Sequence, residues 1–266
     1  MSKGSITEYI DVAQVCLYLF WAFFAGLIYY LLRENKREGY PLAAEGATGG
    51  TIQGFPAIPL PKTYILPEGG TQTAPRAEND TRPIKAEPIA PWPGAPLEPT
   101  GNPMIDGVGP AAWAVRADIP DITADGRPRI VPLKVAHDFS IEHRDPDPRG
   151  MEVVGADGLV AGTVTDVWVD RSESLIRYLE VELPSVAAKE DGTPPAPYHI
   201  LLPMNFSRVD GRRRQVRVKS ILARHFVDVP LHRSATQLSR REEDRICAYY
   251  GGGHLYALPS RTEALI

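Results

Sequence analysis

The residues of this chain that could do chemistry fall into a few short runs. In "AHDFSIEHRDPDP" two imidazoles, His137 and His143, flank Asp138, and histidine beside carboxylate is the raw material of a metal site or a proton relay. Their spacing suits no standard zinc ligand set, and the prolines that follow mark a loop. "WVDRSESLIRYLE" brings together Asp170, Glu173 and Arg177, which on pattern alone form a solvated loop. "SRVDGRRRQVRVKS" carries Arg212, Arg213, Arg214, Arg217 and Lys219. That run is most simply a solvated hairpin, and functionally a contact for anionic lipid or an acidic neighbour protein. Cys16 and Cys247 lack metal-ligand neighbours and set no disulfide framework, so both read as small apolar residues. There is no GxSxG, P-loop or dinucleotide fingerprint, and "GADGLVAG" is a glycine turn rather than a phosphate cradle. No nucleophile, metal or cofactor motif is assembled, so independent catalysis is not expected.

The elements that position these residues follow from composition. The chain has 266 residues, a formal charge of -4, 23% charged and 43% apolar residues, a balance that fits a globular domain with appendages. Mild acidity argues against a nucleic-acid partner, because phosphate binding needs a basic face. From Val12 to Leu32 there is no charged residue, a run that as a helix spans roughly 30 Å, the thickness of a bilayer core. It is too long for a signal-peptide core and lacks a small-residue cleavage site, so it reads as a retained transmembrane helix over 12–32. Arg33, Lys36 and Arg37 follow it, whereas Lys3 stands alone before it, placing a short N-terminus (1–11) outside and the remainder in the cytoplasm. Tyr29 and Tyr30 sit at headgroup depth, and Tyr30 and Arg33 are candidate lipid contacts. Ala22 and Gly26 form a small-xxx-small pair that admits a second helix.

Residues 33–110 are rich in proline, which removes amide donors and blocks helix. They also hold Ile52, Phe55, Ile58, Tyr64, Ile65, Leu66 and Trp92, which a free disordered linker would lack. An extended strap lying on a partner is therefore expected, with short strands such as "KTYIL" pairing within it. From 111 to 266 period-two alternation takes over in "LVAGTVTDVWVD", "LIRYLEVELP" and "YHILLPMNF". In the second of these, Ile176, Tyr178, Glu180 and Glu182 alternate with Leu175, Leu179, Val181 and Leu183. A hairpin turning at Asp210-Gly211 follows, and together these predict a small antiparallel barrel or sandwich. One helix near 236–250 should close the domain, with Ser234 or Thr236 as N-cap, Glu242, Glu243 and Asp244 in its early turns, and Gly251 as its stop.

The runs "FWAFFAGLIYYLL", "RENKREGYPL", "VTDVWVDRSESLIRYLEVEL", "LLPM" and "EEDRICAYYGGGHLYA", in this order and spacing, resemble the H subunit of the photosynthetic reaction centre of purple bacteria. The resemblance runs nearly end to end. It implies a PRC-type antiparallel β-barrel behind one transmembrane helix, in the bacterial inner (chromatophore) membrane. It implies L and M subunits as partners, with a light-harvesting antenna ring and a cytochrome subunit of the complex as further expected partners. Bacteriochlorophyll, bacteriopheophytin, quinones and a non-haem iron belong to the complex and are not bound mainly by this chain. The implied role is a cap over the cytoplasmic face that assists proton delivery to the secondary quinone.

On the same resemblance, Asp170 and Glu173 are proton-path candidates and Arg177 is their charge partner, with Glu173 the foremost choice for a buried relay. Asp125 matches a carboxylate at the proton-uptake surface, but Arg127 and Arg129 stand where imidazoles are expected, and arginine cannot shuttle protons at neutral pH. Asp118, Asp121 and the His137/His143 loop are the other uptake candidates. The alternative is a membrane-tethered PRC-barrel binding module unrelated to photochemistry.

Overall fold

The computed structural model describes residue 6 and residues 11–43, 51–67, 69–75, 82–92, 94–184 and 198–262. Most of the expected N-terminal segment, with Lys3 and Glu8, lies outside the described residues. The chain divides into two compact units, 1–82 with 90–96, and 83–89 with 97–266.

The first unit opens with α1 (Val12–Glu34), whose N-cap Asp11 accepts from the Gln14 amide at 2.7 Å. Not one of its residues is buried, and it is long and apolar enough to cross a membrane. A 3-10 turn (Asn35–Arg37) follows, and then two short antiparallel ladders. The first joins β1 (Leu42–Ala43) to β2 (Thr51–Ile52), and the second joins β3 (Lys62–Ile65) to β4 (Thr71–Ala74), so "KTYIL" does pair within the strap.

What organises this unit is a pair of buried cations. Proline-rich backbone has carbonyls but few amides to meet them. Lys36 donates to the carbonyls of Gln53 (2.7 Å) and Pro56 (2.5 Å). Arg37 donates to those of Leu60 (2.7 Å) and Ala74 (3.1 Å), while Glu34 neutralises it at 2.8 Å. Both cations are under a tenth exposed. The basic residues that follow α1 thus clasp the proline-rich segment. The strap's large apolar side chains stay outside: Phe55 and Ile65 are each 87% exposed, and Trp92 is exposed as well.

In the second unit β5 (Ala86–Pro88) pairs with β6 (Leu97–Pro99), and α2 (Pro103–Asp106) is capped by Asn102. Residues 97–110, expected within the strap, thus lie in this unit. A seven-stranded sheet follows, built from β7 (Ile130–Pro132), β8 (Glu152–Val154), β9 (Val160–Asp170), β10 (Leu175–Leu183), β11 (Tyr198–Pro203), β12 (Ser207–Asp210) and β13 (Gln215–Val218). The order is β11-β10-β9-β8-β13-β12, with β7 added on β9.

Two details of strand pairing differ from a fully antiparallel, closed sheet. The β8–β13 pair is parallel, and no ladder closes the sheet into a barrel among the described residues. Its edge strands β11 and β12 are instead consecutive, joined by the 3-10 turn Met204–Phe206, so the sheet must curl until its two edges share that turn. The hairpin turn spans Gly211 to Arg214, with Asp210 accepting from the Arg212 and Arg213 amides at 3.1 Å each. Strand β10 is buried on both faces at its centre, Tyr178 and Glu180 as well as Leu179 and Val181; the Trp168 indole donates to the Glu180 carboxylate at 3.0 Å and so meets its charge there.

The closing helix α3 (Arg240–Tyr256) starts later than the sequence suggests and does not stop at Gly251. Its N-cap is Ser239, in a reciprocal capping box with Glu242. The glycines continue the helix because they are contact surface. A Cβ on Gly252 would meet that of Ala111 at 2.5 Å, and one on Gly253 would run into Ile221 and the Ser220 carbonyl.

The clasp carries a prediction. Arg37→Ala leaves the Leu60 and Ala74 carbonyls without their donor, so limited proteolysis of the intact protein should cut within 51–75 at least several-fold faster than wild type. An unchanged cleavage rate there would show that the ladders alone hold the strap.

Candidate functional site

Asp170 ends β9 and has no solvent exposure. Its Oδ1 accepts from Arg129 Nε at 3.0 Å and from the amides of Ser172 (2.9 Å) and Glu173 (3.1 Å). Its Oδ2 lies 2.9 Å from Arg129 Nη2, a charge contact without hydrogen-bond alignment. One buried carboxylate thus fixes the turn 171–174 and pulls in the residue before β7, whose Ile130 stands opposite Asp170 in the ladder. Burial raises the Asp170 pKa, but Arg129 and the two amides outweigh it, and the carboxyl sits below its ordinary range.

Arg129 is the hub. It also bonds Glu173 Oε1 and reaches Asp121 Oδ2 at 3.3 Å. Asp121 in turn takes Arg240 at 2.8 Å. Desolvation raises the Asp121 pKa and the two arginines more than reverse it. Next along, Asp118 accepts from the Ser239 hydroxyl at 2.8 Å and pairs with Arg233 at 2.5 Å, and these contacts, Ser239 foremost, lower its pKa. Arg177, the expected charge partner, stands farther off, 4.0 Å from Asp170 and 3.8 Å from Glu173. Glu173 is about half exposed rather than buried, because Arg129 and Arg177 hold it at the rim. Asp125 does not join the network. It bonds Thr123 and pairs with Arg127 at 2.5 Å on the exposed 121–129 loop.

Beside the network lies a cavity of about 310 Å³ lined by Arg129, Asp121, Arg177, Arg240, Glu243 and Cys247, among others. Glu243 is the residue that the sequence hid. As a residue of the helix's first turn it looked like a charge placed for the dipole, yet α3 turns it onto β10, where the Tyr178 hydroxyl donates to it at 3.3 Å. Desolvation raises its pKa, only partly offset by Tyr178 and Arg177. Among the described residues it is the one carboxyl with a resolved upward shift. The signal available in the sequence was helical spacing alone: Glu243 and Cys247 are four apart and so share a face.

Elsewhere, His143 Nδ1 lies 2.5 Å from Glu142, and among the described residues no group of three His, Cys, Asp or Glu side chains could hold a metal ion. Tyr30 is exposed with Lys62 over its ring at 5.8 Å, and Arg33 is exposed in the last turn of α1.

Asp170→Asn should lower stability by about 2 kcal/mol, less than for a fully enclosed pair because Arg129 retains some solvent. The pH dependence checks the assignment. Asp170, Asp121 and Asp118 titrate lower in the native state, so their contribution is complete above about pH 4 and is lost as pH falls through the lowered values. Glu243 has the opposite sign. Its contribution is complete below about pH 4 and is lost as pH rises through the raised value. Thermal melts across the acid limb should therefore show a shallower loss for Asp170→Asn than for wild type, and parallel limbs would refute the pairing.

Comparison with known families adds what geometry alone does not. The family model for the photosynthetic reaction centre H-chain N-terminal region matches residues 4–135, and that for the PRC-barrel domain matches residues 140–224. The first takes in α1, the clasp and the 121–129 loop, and the second takes in all of the sheet from β8 to β13. With one apolar N-terminal helix, a mainly-β domain and a C-terminal helix arranged as described, the chain belongs to the photosynthetic reaction centre H-chain family.

Proposed function

We propose that this H subunit caps the cytoplasmic face of the L and M subunits and assists proton delivery to the secondary quinone, without catalysis of its own. Family membership and the apolar helix make it a membrane-anchored partner of L and M in a complex that carries pigments and quinones. The strap's exposed Phe55, Ile65 and Trp92 support a docking role for the first unit, since side chains of that size left in water favour burial on a partner. Among the described residues a Cβ placed on Gly26 would meet nothing within 4 Å, so the Ala22 and Gly26 face of α1 suits close approach by a neighbouring helix. Basic residues at its C-terminal end favour a periplasmic N-terminus and a cytoplasmic second unit in the bacterial photosynthetic membrane. Tyr30 and Arg33, both exposed, would meet anionic headgroups there.

The observation that carries the proton role is the spread of proton affinity around one polar cavity. A bound quinone would accept two electrons and take up two protons. This chain's part is to hold and pass protons toward it. Asp121 on the cavity wall and Asp170 behind Arg129 stay ionised against their arginines, while Glu243 can carry a proton at higher pH than an ordinary carboxyl. The cavity has room for waters to link Asp121 and Glu243, and Glu173 at the rim connects Arg129 to the exterior.

Two experiments test this. Tagged chain purified from its native membrane should bring down partners absorbing in the near infrared, and a colourless preparation would overturn the assignment. Glu243→Gln should slow proton-coupled reduction of the secondary quinone by about tenfold or more while leaving primary charge separation intact. At neutral pH it should also raise the melting temperature, because it removes a carboxylate that burial disfavours. Glu173→Gln should slow the same step, and flash kinetics unchanged in both variants would remove these carboxyls from the path.

A further inference from the structure

The basic run singled out in the sequence plays no part in the chemistry above, and the structure gives it a shape. Strands β12 and β13 form one wall of a groove of about 1210 Å³. Arg208, Arg212, Arg213, Arg217 and Lys219 line it together with Arg144 from the loop opposite, and all six are exposed. Among the described residues none of Arg208, Arg212, Arg217 and Lys219 forms an ion pair. The groove's acids are Asp145 and Asp210, and Asp210 is engaged by the turn amides and, at 4.0 Å, by Arg213.

One feature shows local stability set aside for this charge. Arg208 and Arg217 stand directly opposite each other in the antiparallel ladder, where like charges repel. Departures from local preference of this kind concentrate at functional sites. The groove's floor is partly apolar, with Phe206, Val209 and Pro146 beside the cations. A flat headgroup layer cannot reach into a concavity, whereas a polypeptide can lay carboxylates on the arginine forks and apolar side chains on the floor.

We infer that this groove is a docking site for an acidic segment of another protein. The site is independent of the proton path, since it shares none of that cavity's lining residues. The test uses the intact complex in detergent and a fluorescently labelled peptide of alternating glutamate and leucine, followed by anisotropy. Binding should be present at low salt and weaken as salt rises. The double variant Arg208→Gln/Arg217→Gln should bind about tenfold more weakly while melting at the same or a higher temperature, because the facing like charges are gone. Arg208→Lys/Arg217→Lys should retain most of the affinity. Equal affinity in wild type and the glutamine variant, or a loss matched by a fall in melting temperature, would overturn the proposal. So would tighter binding of single-stranded DNA or phosphatidylglycerol nanodiscs to the same arginines.

Discussion

A charge taken out of water has to be met by the protein, and both units of this chain are organised around that requirement. In the first, Lys36 and Arg37 are buried because a proline-rich strap has carbonyls with few amides to satisfy them. In the second, Asp170 is buried, and the groups that meet it belong to parts of the chain far apart in sequence: Arg129 before β7, and the amides of the turn after β9. Remove either compensation and the partners left behind bear the cost.

The same pairing builds the site. Once Arg129 is drawn to Asp170, its remaining donors reach Glu173 and Asp121, and Asp121 engages Arg240 on α3. The helix can come close because Gly252 and Gly253 present no side chain to Ala111, Ile221 and the Ser220 carbonyl. That approach sets Glu243 over Tyr178. Packing and electrostatics therefore act together: a tightly seated helix desolvates one carboxyl, while the arginines that line the same space hold others ionised. Carboxyls of opposed proton affinity thus line one cavity.

Much of the architecture was legible in the chain itself. The uncharged run from Val12, the alternation of β9 and β10 and the pairing of "KTYIL" rest on local periodicity, which short-range sterics and solvent enforce residue by residue. The helix ends were less legible. Gly251 reads as a stop by propensity, yet burial of the next two glycines outweighs their backbone freedom. Of the site, Asp170 and Glu173 stood out through family resemblance, with Arg177 named as partner where Arg129 is the closer one. Arg129 looked like a misplaced imidazole, and Glu243 like an ordinary first-turn acid.

The sequence by itself thus determined an apolar anchoring helix, a proline strap and a β-rich domain with a closing helix, because each depends on patterns within a few residues of chain. Only the tertiary structure decided which guanidinium meets Asp170, that Glu173 lies at the rim and that Glu243 is desolvated. It also decided that Arg208 faces Arg217 across a groove. Those outcomes depend on strand register and helix seating between segments tens of residues apart, and on how much water each contact excludes, quantities that no local pattern encodes.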